Sequence, residues 1–243
     1  LGQSYDNYEI VIINDASNDG TRNYLDNLRI PSDMLVIHNE KNLGLQKSLN
    51  KAIAASKGRF IARIDDDDSW IDSHKIEKQV QFLNNNPEYG LVGTNYLIGG
   101  KKVFNPESDK DIRRQMLFRC PFRHSTVVFD RHLYEKVGAY NEDLPYSEDW
   151  ELWMKMGKHS KMANLQFFST AISEEDTATK KYFTRQIPIN ISIVRQNMHY
   201  YPGKIRALIY HHFVRLFFKI IPLNGLIHNC FKRIFLWVFK MKQ

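Results

Sequence analysis

The chain has 243 residues, 43% hydrophobic and 13% aromatic, enough for one buried core and an appendage. Its two cysteines, Cys120 and Cys230, are too far apart for metal-ligand spacing, which argues against a disulfide framework and for a reducing compartment. The net charge of +7 is uneven: residues 1–176 hold 27 acidic and 22 basic groups, whereas 177–243 hold twelve Lys or Arg and no acid. An acidic body therefore carries a basic, aromatic tail, and the change of sign marks a boundary.

In chain order, "NYEIVIIND" (Asn7 to Asp15) predicts a fully buried strand, since Ile10 to Ile13 are all apolar and β-branched. "NDASNDGT" supplies turn and cap residues that open a helix through Tyr24, Leu25 and Leu28. "MLVIHN" is a second strand. "NLGLQKSLNKAIAASKG" is a helix with Leu45, Leu49, Ala52 and Ile53 on one face, closed by Gly58. A third strand follows Gly58, then a helix aligning Ile76, Val80 and Leu83, ended by Pro87. The second half holds shorter elements: strands in "LVGTNYLIG", "RHSTVVFD" and "KMANLQFF", and helices in "DIRRQMLF" and from near Glu148. This alternation predicts an α/β domain with a largely parallel sheet, whose ligands collect at the carboxyl ends of the strands. "NDASND" and "DDDD" both fall at such ends.

The third strand, "RFIARI", runs straight into four carboxylates, Asp65 to Asp68. Adjacent aspartates repel one another, and a solvated acidic turn leaves that repulsion uncompensated. A divalent cation offsets it, because hard oxygen ligands suit Mg²⁺ and Mn²⁺. Mg²⁺ takes only one or two carboxylates besides phosphate oxygens and water, so not every acid of the run need be a ligand.

"EIVIINDASNDGT", "NLGLQKSLNKAIAASKGRFIARIDDDD", "HSTVVFDRHLYEKVGAY" and "SEDWELWMKM", in that order, resemble family 2 glycosyltransferases of the GT-A fold over Leu1 to Phe168. The resemblance implies an α/β catalytic domain over 1–175, with a mostly parallel central sheet and helices on both faces. A connecting segment (176–203) and a tail of amphipathic helices (204–243) follow. It implies a nucleotide-sugar donor, preferentially a UDP-sugar, with Asp15 gripping the base and Ser17 shaping the loop. Asn14 stands where a second acid is usual. Asp65, Asp67 and Asp68 match the Asp-x-Asp motif and the acid after it, implying a site for Mg²⁺ or Mn²⁺ and the donor diphosphate, with Asp65 also near the ribose. Lys47 falls where the family often places a basic group near the donor, and it equally suits an ordinary surface lysine. Asp149 matches the catalytic base of inverting members, with Glu148 and Glu151 as alternatives within reach. At the start of a helix such a carboxylate is expected to stay ionised, its pKa lowered by the dipole. His124, Glu148 and Trp150 are the candidate acceptor contacts; His124 also suits a satisfied, partly buried histidine.

Two features depart from the family. Its opening strand has no counterpart before Leu1, which implies an incomplete sheet. No Gln-x-x-Arg-Trp occurs, which argues against a processive polymerase.

The tail alternates aromatic and basic residues, is interrupted at Pro222, Asn224 and Gly225, and contains no uncharged run long enough to span a bilayer. Amphipathic basic helices of this kind suit the membrane interface, whereas nucleic acid is a poor fit. The expected function is a metal-dependent, inverting, non-processive glycosyltransferase. It would act on a glycan or lipid-linked acceptor in cell-surface polysaccharide synthesis, in the cytoplasm at the inner face of the membrane. The alternative is a non-catalytic membrane-associated subunit or scaffold that retains the fold.

Overall fold

Strand and helix alternate as their sequence periods dictate. The computed structural model describes residues 2–29, 32–173 and 178–220. The elements run β1 (Ile10–Asn14), α1 (Thr21–Asp26), β2 (Met34–His38), α2 (Leu45–Ala55), β3 (Phe60–Ala62), β4 (Ser69–Trp70), α3 (Lys75–Asn85) and β5 (Tyr89–Ile98). They continue with β6 (Lys101–Val103), α4 (Asp109–Met116), β7 (Val128–Asp130), α5 (Arg131–Val137), α6 (Glu148–Met156), β8 (Lys161–Ile172), α7 (Ala178–Asn197) and α8 (Lys204–Ile220). The chain divides into two units: Leu1–Ile112 with Pro121–Glu174, and Arg113–Cys120 with Glu175–Gln243.

The first unit is an α/β fold, but its main sheet is mixed rather than mostly parallel. The strand order is β3-β7-β5-β8-β4, with β6 added to β5. Within it only β5 and β8 run parallel; the β3–β7, β5–β7, β4–β8 and β5–β6 pairs are antiparallel. For β6 the cause is local: after β5 the chain reverses through Gly99 (φ 53°) and Gly100 (φ 72°), two left-handed residues that suit a tight hairpin and so force an antiparallel partner.

β1 and β2 pair with each other, in parallel, as a separate two-stranded sheet. Ile10 to Ile13, read from sequence as fully buried, are half-buried. Among the described residues only β2 pairs with β1, so the strand lacks the neighbour that would seal its other edge.

The core forms on both faces of the main sheet. Ile76, Val80 and Leu83 of α3 pack against Val92, Val128 and Ala163. Phe129, the next residue along β7, points to the opposite face, as strand geometry requires. There its ring meets Trp153 of α6 at 5.5 Å. Where β5 crowds β8, only glycine fits: a Cβ on Gly93 would stand 2.3 Å from Asn164 Oδ1.

The second unit is helical. α7 occupies most of the segment read as a connector, and α8 begins the predicted tail. Ala207 and His211 of α8 are buried, and His211 Nε2 bonds to the Leu117 carbonyl at 2.8 Å. Phe118 meets Tyr210 edge-on at 5.7 Å. Among the described residues no helix is long and apolar enough to cross a membrane. The rest of the tail, 221–243, lies outside the described residues.

Candidate active site

Asp15 follows directly on β1 and has turned to serve the loop before α2. Its Oδ1 accepts from Asn39 Nδ2 and the Leu43 backbone N–H, both at 2.8 Å, and its Oδ2 from the Gly44 N–H at 2.9 Å. Burial works to raise its pKa, but the Leu43, Asn39 and Gly44 bonds prevail and the carboxyl lies below its ordinary value. Asn14 is buried and structural: its amide contacts His38 Nδ1 at 3.1 Å and its Oδ1 accepts from the Ser17 N–H at 3.0 Å. Ser17 is exposed on the turn. Lys47 is exposed on α2.

The four aspartates leave the end of β3 and bend back on themselves, the Asp68 N–H donating to the Asp65 carbonyl at 3.2 Å. They differ sharply in surroundings. Asp66 and Asp67 are exposed, Asp65 is half-buried and Asp68 is buried. Carboxylate oxygens of Asp65, Asp67 and Asp68 lie within 4.8 Å of one another. Three residues hold this arrangement. The buried Arg63 guanidinium forks Asp65, with Nη1 to Oδ2 at 2.6 Å. The Ser125 hydroxyl, reaching in from the turn before β7, donates to Asp68 Oδ2 and Asp65 Oδ2, while its oxygen accepts from the Asp65 N–H at 3.0 Å. Ser173, just past β8, closes the loop by donating its N–H to Asp68 Oδ1 at 3.1 Å. Burial first, then the charges of Asp68 and Asp65, push the Asp67 pKa up. That uncompensated negative charge, on hard oxygen donors, is the environment a divalent cation fits.

Glu148 and Asp149 open α6 after Ser147, whose left-handed backbone (φ 61°) turns the chain sharply into the helix. Asp149 Oδ1 accepts from the Trp150 N–H at 2.7 Å. Its pKa is raised, against the lowering expected from a helix start. Burial is the largest cause and outweighs the Trp150 bond and the Arg63 and Arg123 charges, while Asp65 adds to the rise. Burial and the neighbouring Asp149 push Glu148 to about 7. Gln46 Nε2, near the start of α2, stands 3.5 Å from Glu148 Oε2, so the start of α2 reaches the start of α6. Glu151 is engaged with Lys155 at 3.2 Å.

The fold thus brings Asp65, Asp67 and Asp68 together and lets the Asp65 charge reach Asp149, while Asp15 holds the start of α2, whose Gln46 reaches Glu148. His124 and Trp150 are placed inside the packing. His124 is buried, bonded to the Tyr140 hydroxyl at 2.7 Å and edge-on to Trp153, and burial drives its pKa well down. Trp150 is also buried. Three contributors escaped the sequence reading. An arginine inside an apolar strand, two residues before an acid run, was a legible sign of Arg63. Ser125, with many possible partners across the chain, and Gln46 carried no such sign.

Residues 1–169 match the sequence profile of glycosyl transferase family 2. A glycosyltransferase of Haemophilus influenzae is 30% identical over 227 residues, spanning 84% of this chain and 68% of its own. The Escherichia coli UDP-Glc:alpha-D-GlcNAc-diphosphoundecaprenol beta-1,3-glucosyltransferase WfaP is 29% identical over 241 residues, 95% of this chain and 87% of its own. Among solved structures, S. aureus TarS in complex with UDP-GlcNAc superposes with a TM-score of 0.67 at 16% identity, covering 98% of this chain and 74% of TarS. The mannosyltransferase PcManGT of Pyrobaculum calidifontis, in complex with GDP-Man and Mn²⁺, gives 0.61 at 14% identity, covering 99% and 74%. These two show the GT-A fold. The chain belongs to glycosyl transferase family 2 and is a nucleotide-sugar-dependent glycosyltransferase.

Proposed function

We propose that the protein transfers a sugar from a UDP-sugar to a lipid-linked or glycan acceptor in cell-surface polysaccharide synthesis, by a metal-dependent, inverting, non-processive reaction. The observation that carries this reading is the convergence of Asp65, Asp67 and Asp68, their oxygens within 4.8 Å, with the Asp65 charge acting on Asp149. WfaP, named for a UDP-Glc donor and a diphosphoundecaprenol acceptor, supports the substrate classes, and the Mn²⁺ complex of PcManGT supports the metal.

In this reading Asp65, Asp67 and Asp68 hold Mg²⁺ or Mn²⁺. When bound, the ion supplies positive charge beside the leaving diphosphate. The Asp15 loop, with Ser17 and Lys47 beside it, receives the nucleotide, and Asp65 also meets the ribose. Asp149 takes the proton of the attacking acceptor hydroxyl as its oxygen bonds to the anomeric carbon and the bond to the diphosphate breaks on the opposite face. Glu148 lines the acceptor side, while His124 and Trp150 back it from within the packing.

The basic tail holds the enzyme to the inner face of the membrane. α8 supports this: Ile205, Ile209, Phe213 and Leu216 form an exposed stripe along it, flanked by Lys204, Arg206 and Arg215.

Calorimetric titration of UDP into the full chain, with and without Mn²⁺, together with nucleotide release from a panel of sugar nucleotides, tests the proposal. Mn²⁺-dependent UDP binding and turnover of one donor are expected. Absence of UDP binding under both conditions, with no turnover of any donor in the panel, would favour the scaffold alternative instead.

A further inference from the structure

Lys75 begins α3, and none of its surface reaches solvent. A buried ammonium is costly unless it is paired, yet among the described residues no carboxylate pairs with this one. Burial pulls its pKa down to about 7. Its contacts are a hydrogen bond from Nζ to Gln79 Oε1 at 2.7 Å and the face of Trp70, whose ring centre is 4.4 Å away.

Both partners act on one short stretch of backbone. Gln79 Nε2 donates to the Thr126 carbonyl at 2.9 Å and to the Val92 carbonyl at 3.0 Å. Trp70 Nε1 donates to the Ser125 carbonyl at 2.8 Å. Nζ donates to the Gln79 oxygen, so it fixes that oxygen toward itself and leaves the amide N–H groups facing the two carbonyls. An apolar side chain of the same size would fill the space without setting that orientation. Ser125, held in this way, is the residue whose hydroxyl ties Asp65 to Asp68.

We propose that Lys75 is a positioning residue for the acidic cluster: through Gln79 and Trp70 it fixes the Ser125–Thr126 turn, and hence the spacing of the carboxylates that take a divalent cation. This rests on the metal-binding reading above. Lys75 touches neither metal ligand nor substrate, and it works through the backbone two contacts away.

The test is Mn²⁺ binding to the full chain, read from the electron paramagnetic resonance signal of free Mn²⁺, with neither donor nor acceptor present. Wild type is compared with Lys75→Met, with Trp70→Phe, which removes the indole N–H together with part of the ring, and with Lys78→Met, an exposed lysine on the same helix. Lys75→Met and Trp70→Phe are expected to weaken Mn²⁺ binding by about 10-fold, the usual scale for partners behind a ligand. Lys78→Met is expected to leave it unchanged. If Lys75→Met does not fold, Trp70→Phe decides. Folded Lys75→Met or Trp70→Phe protein with wild-type affinity overturns the proposal. Absence of Mn²⁺ binding in the wild type removes the metal site itself, and the proposal with it.

Discussion

Arg63 grips both carboxylate oxygens of Asp65 from two residues upstream, so one member of the acidic run is neutralised from inside the fold while Asp67 stays exposed. Arg63 is the more buried partner, with 9% of its side chain accessible against 31% for Asp65. Removing one half of such a pair costs most when the half left behind is the buried one. Asp65→Asn is therefore expected to destabilise the protein by about 3 kcal/mol, and Arg63→Met by clearly less. Urea unfolding of the two variants at pH 7.5 checks the order. A more stable Asp65→Asn would mean that relief of carboxylate repulsion outweighs the loss of the pair.

If Asp149 is the base, Asp149→Asn lowers transfer on the order of 10²- to 10⁴-fold and leaves UDP affinity in Mn²⁺ unchanged. Glu151→Gln should keep most of the rate, because Glu151 is already engaged with Lys155. Single-turnover transfer and UDP calorimetry on the same preparations separate the two effects.

With Asp149 as the base, the Glu148–Asp149 pair is expected to set the pH dependence of transfer. Both pKa values are raised by burial, Glu148 to about 7, so the ionised pair forms only as pH rises toward neutrality. The rate is expected to climb through pH 7, and Glu148→Gln to move that limb to lower pH by removing the like charge beside Asp149. Stability runs the other way. A carboxyl with a raised folded pKa favours the fold fully below its ordinary value of 4.5, and the advantage fades as pH rises toward 7. Glu148→Gln should therefore be more stable than wild type at pH 8, by about 2 to 3 kcal/mol, and equal to it near pH 4. Thermal melts across pH give the comparison.

Metal removal discriminates among the four aspartates. Chelation should abolish turnover, with Mn²⁺ restoring it. Asp67→Asn should eliminate Mn²⁺ binding, whereas Asp66→Asn, outside the oxygen cluster, should change it little. Equal effects at both positions would point to diffuse charge rather than ligation.

For the tail, the double variant Ile205→Ser, Ile209→Ser should lower co-sedimentation of the full chain with phosphatidylglycerol vesicles, and wild type should bind neutral vesicles weakly. Wild-type sedimentation of the variant would take α8 out of the contact.

Much of the fold was legible because periodicity reports burial directly. Ile76, Val80 and Leu83 share a helical face in the sequence and meet Val92, Val128 and Ala163 in the structure. Strand direction was not legible: β7 runs antiparallel to both β3 and β5 across long stretches of chain, and an alternation of strand and helix does not encode that. At the candidate site the carboxylates announced themselves through mutual repulsion. What organises them did not, because Ser125 lies 60 residues from Asp65, and a lone serine carries no pattern. The helix-start argument for Asp149 named a real effect but ranked it wrongly, since burial is the larger contribution. The lone lysine that opens α3 gave no hint in sequence that it would be sealed from water.

The bond from the Ser173 N–H to Asp68 joins positions 105 apart in the chain. A ribosome delivers the aspartates long before it delivers the strand that latches them. The Asp68 end of the acidic loop is therefore latched only once β8 has been made, whereas the Arg63 clamp on Asp65 is at hand from the start. Closure of the acidic loop is in this sense a late event, tied to the arrival of β8 rather than to the segment that bears the acids.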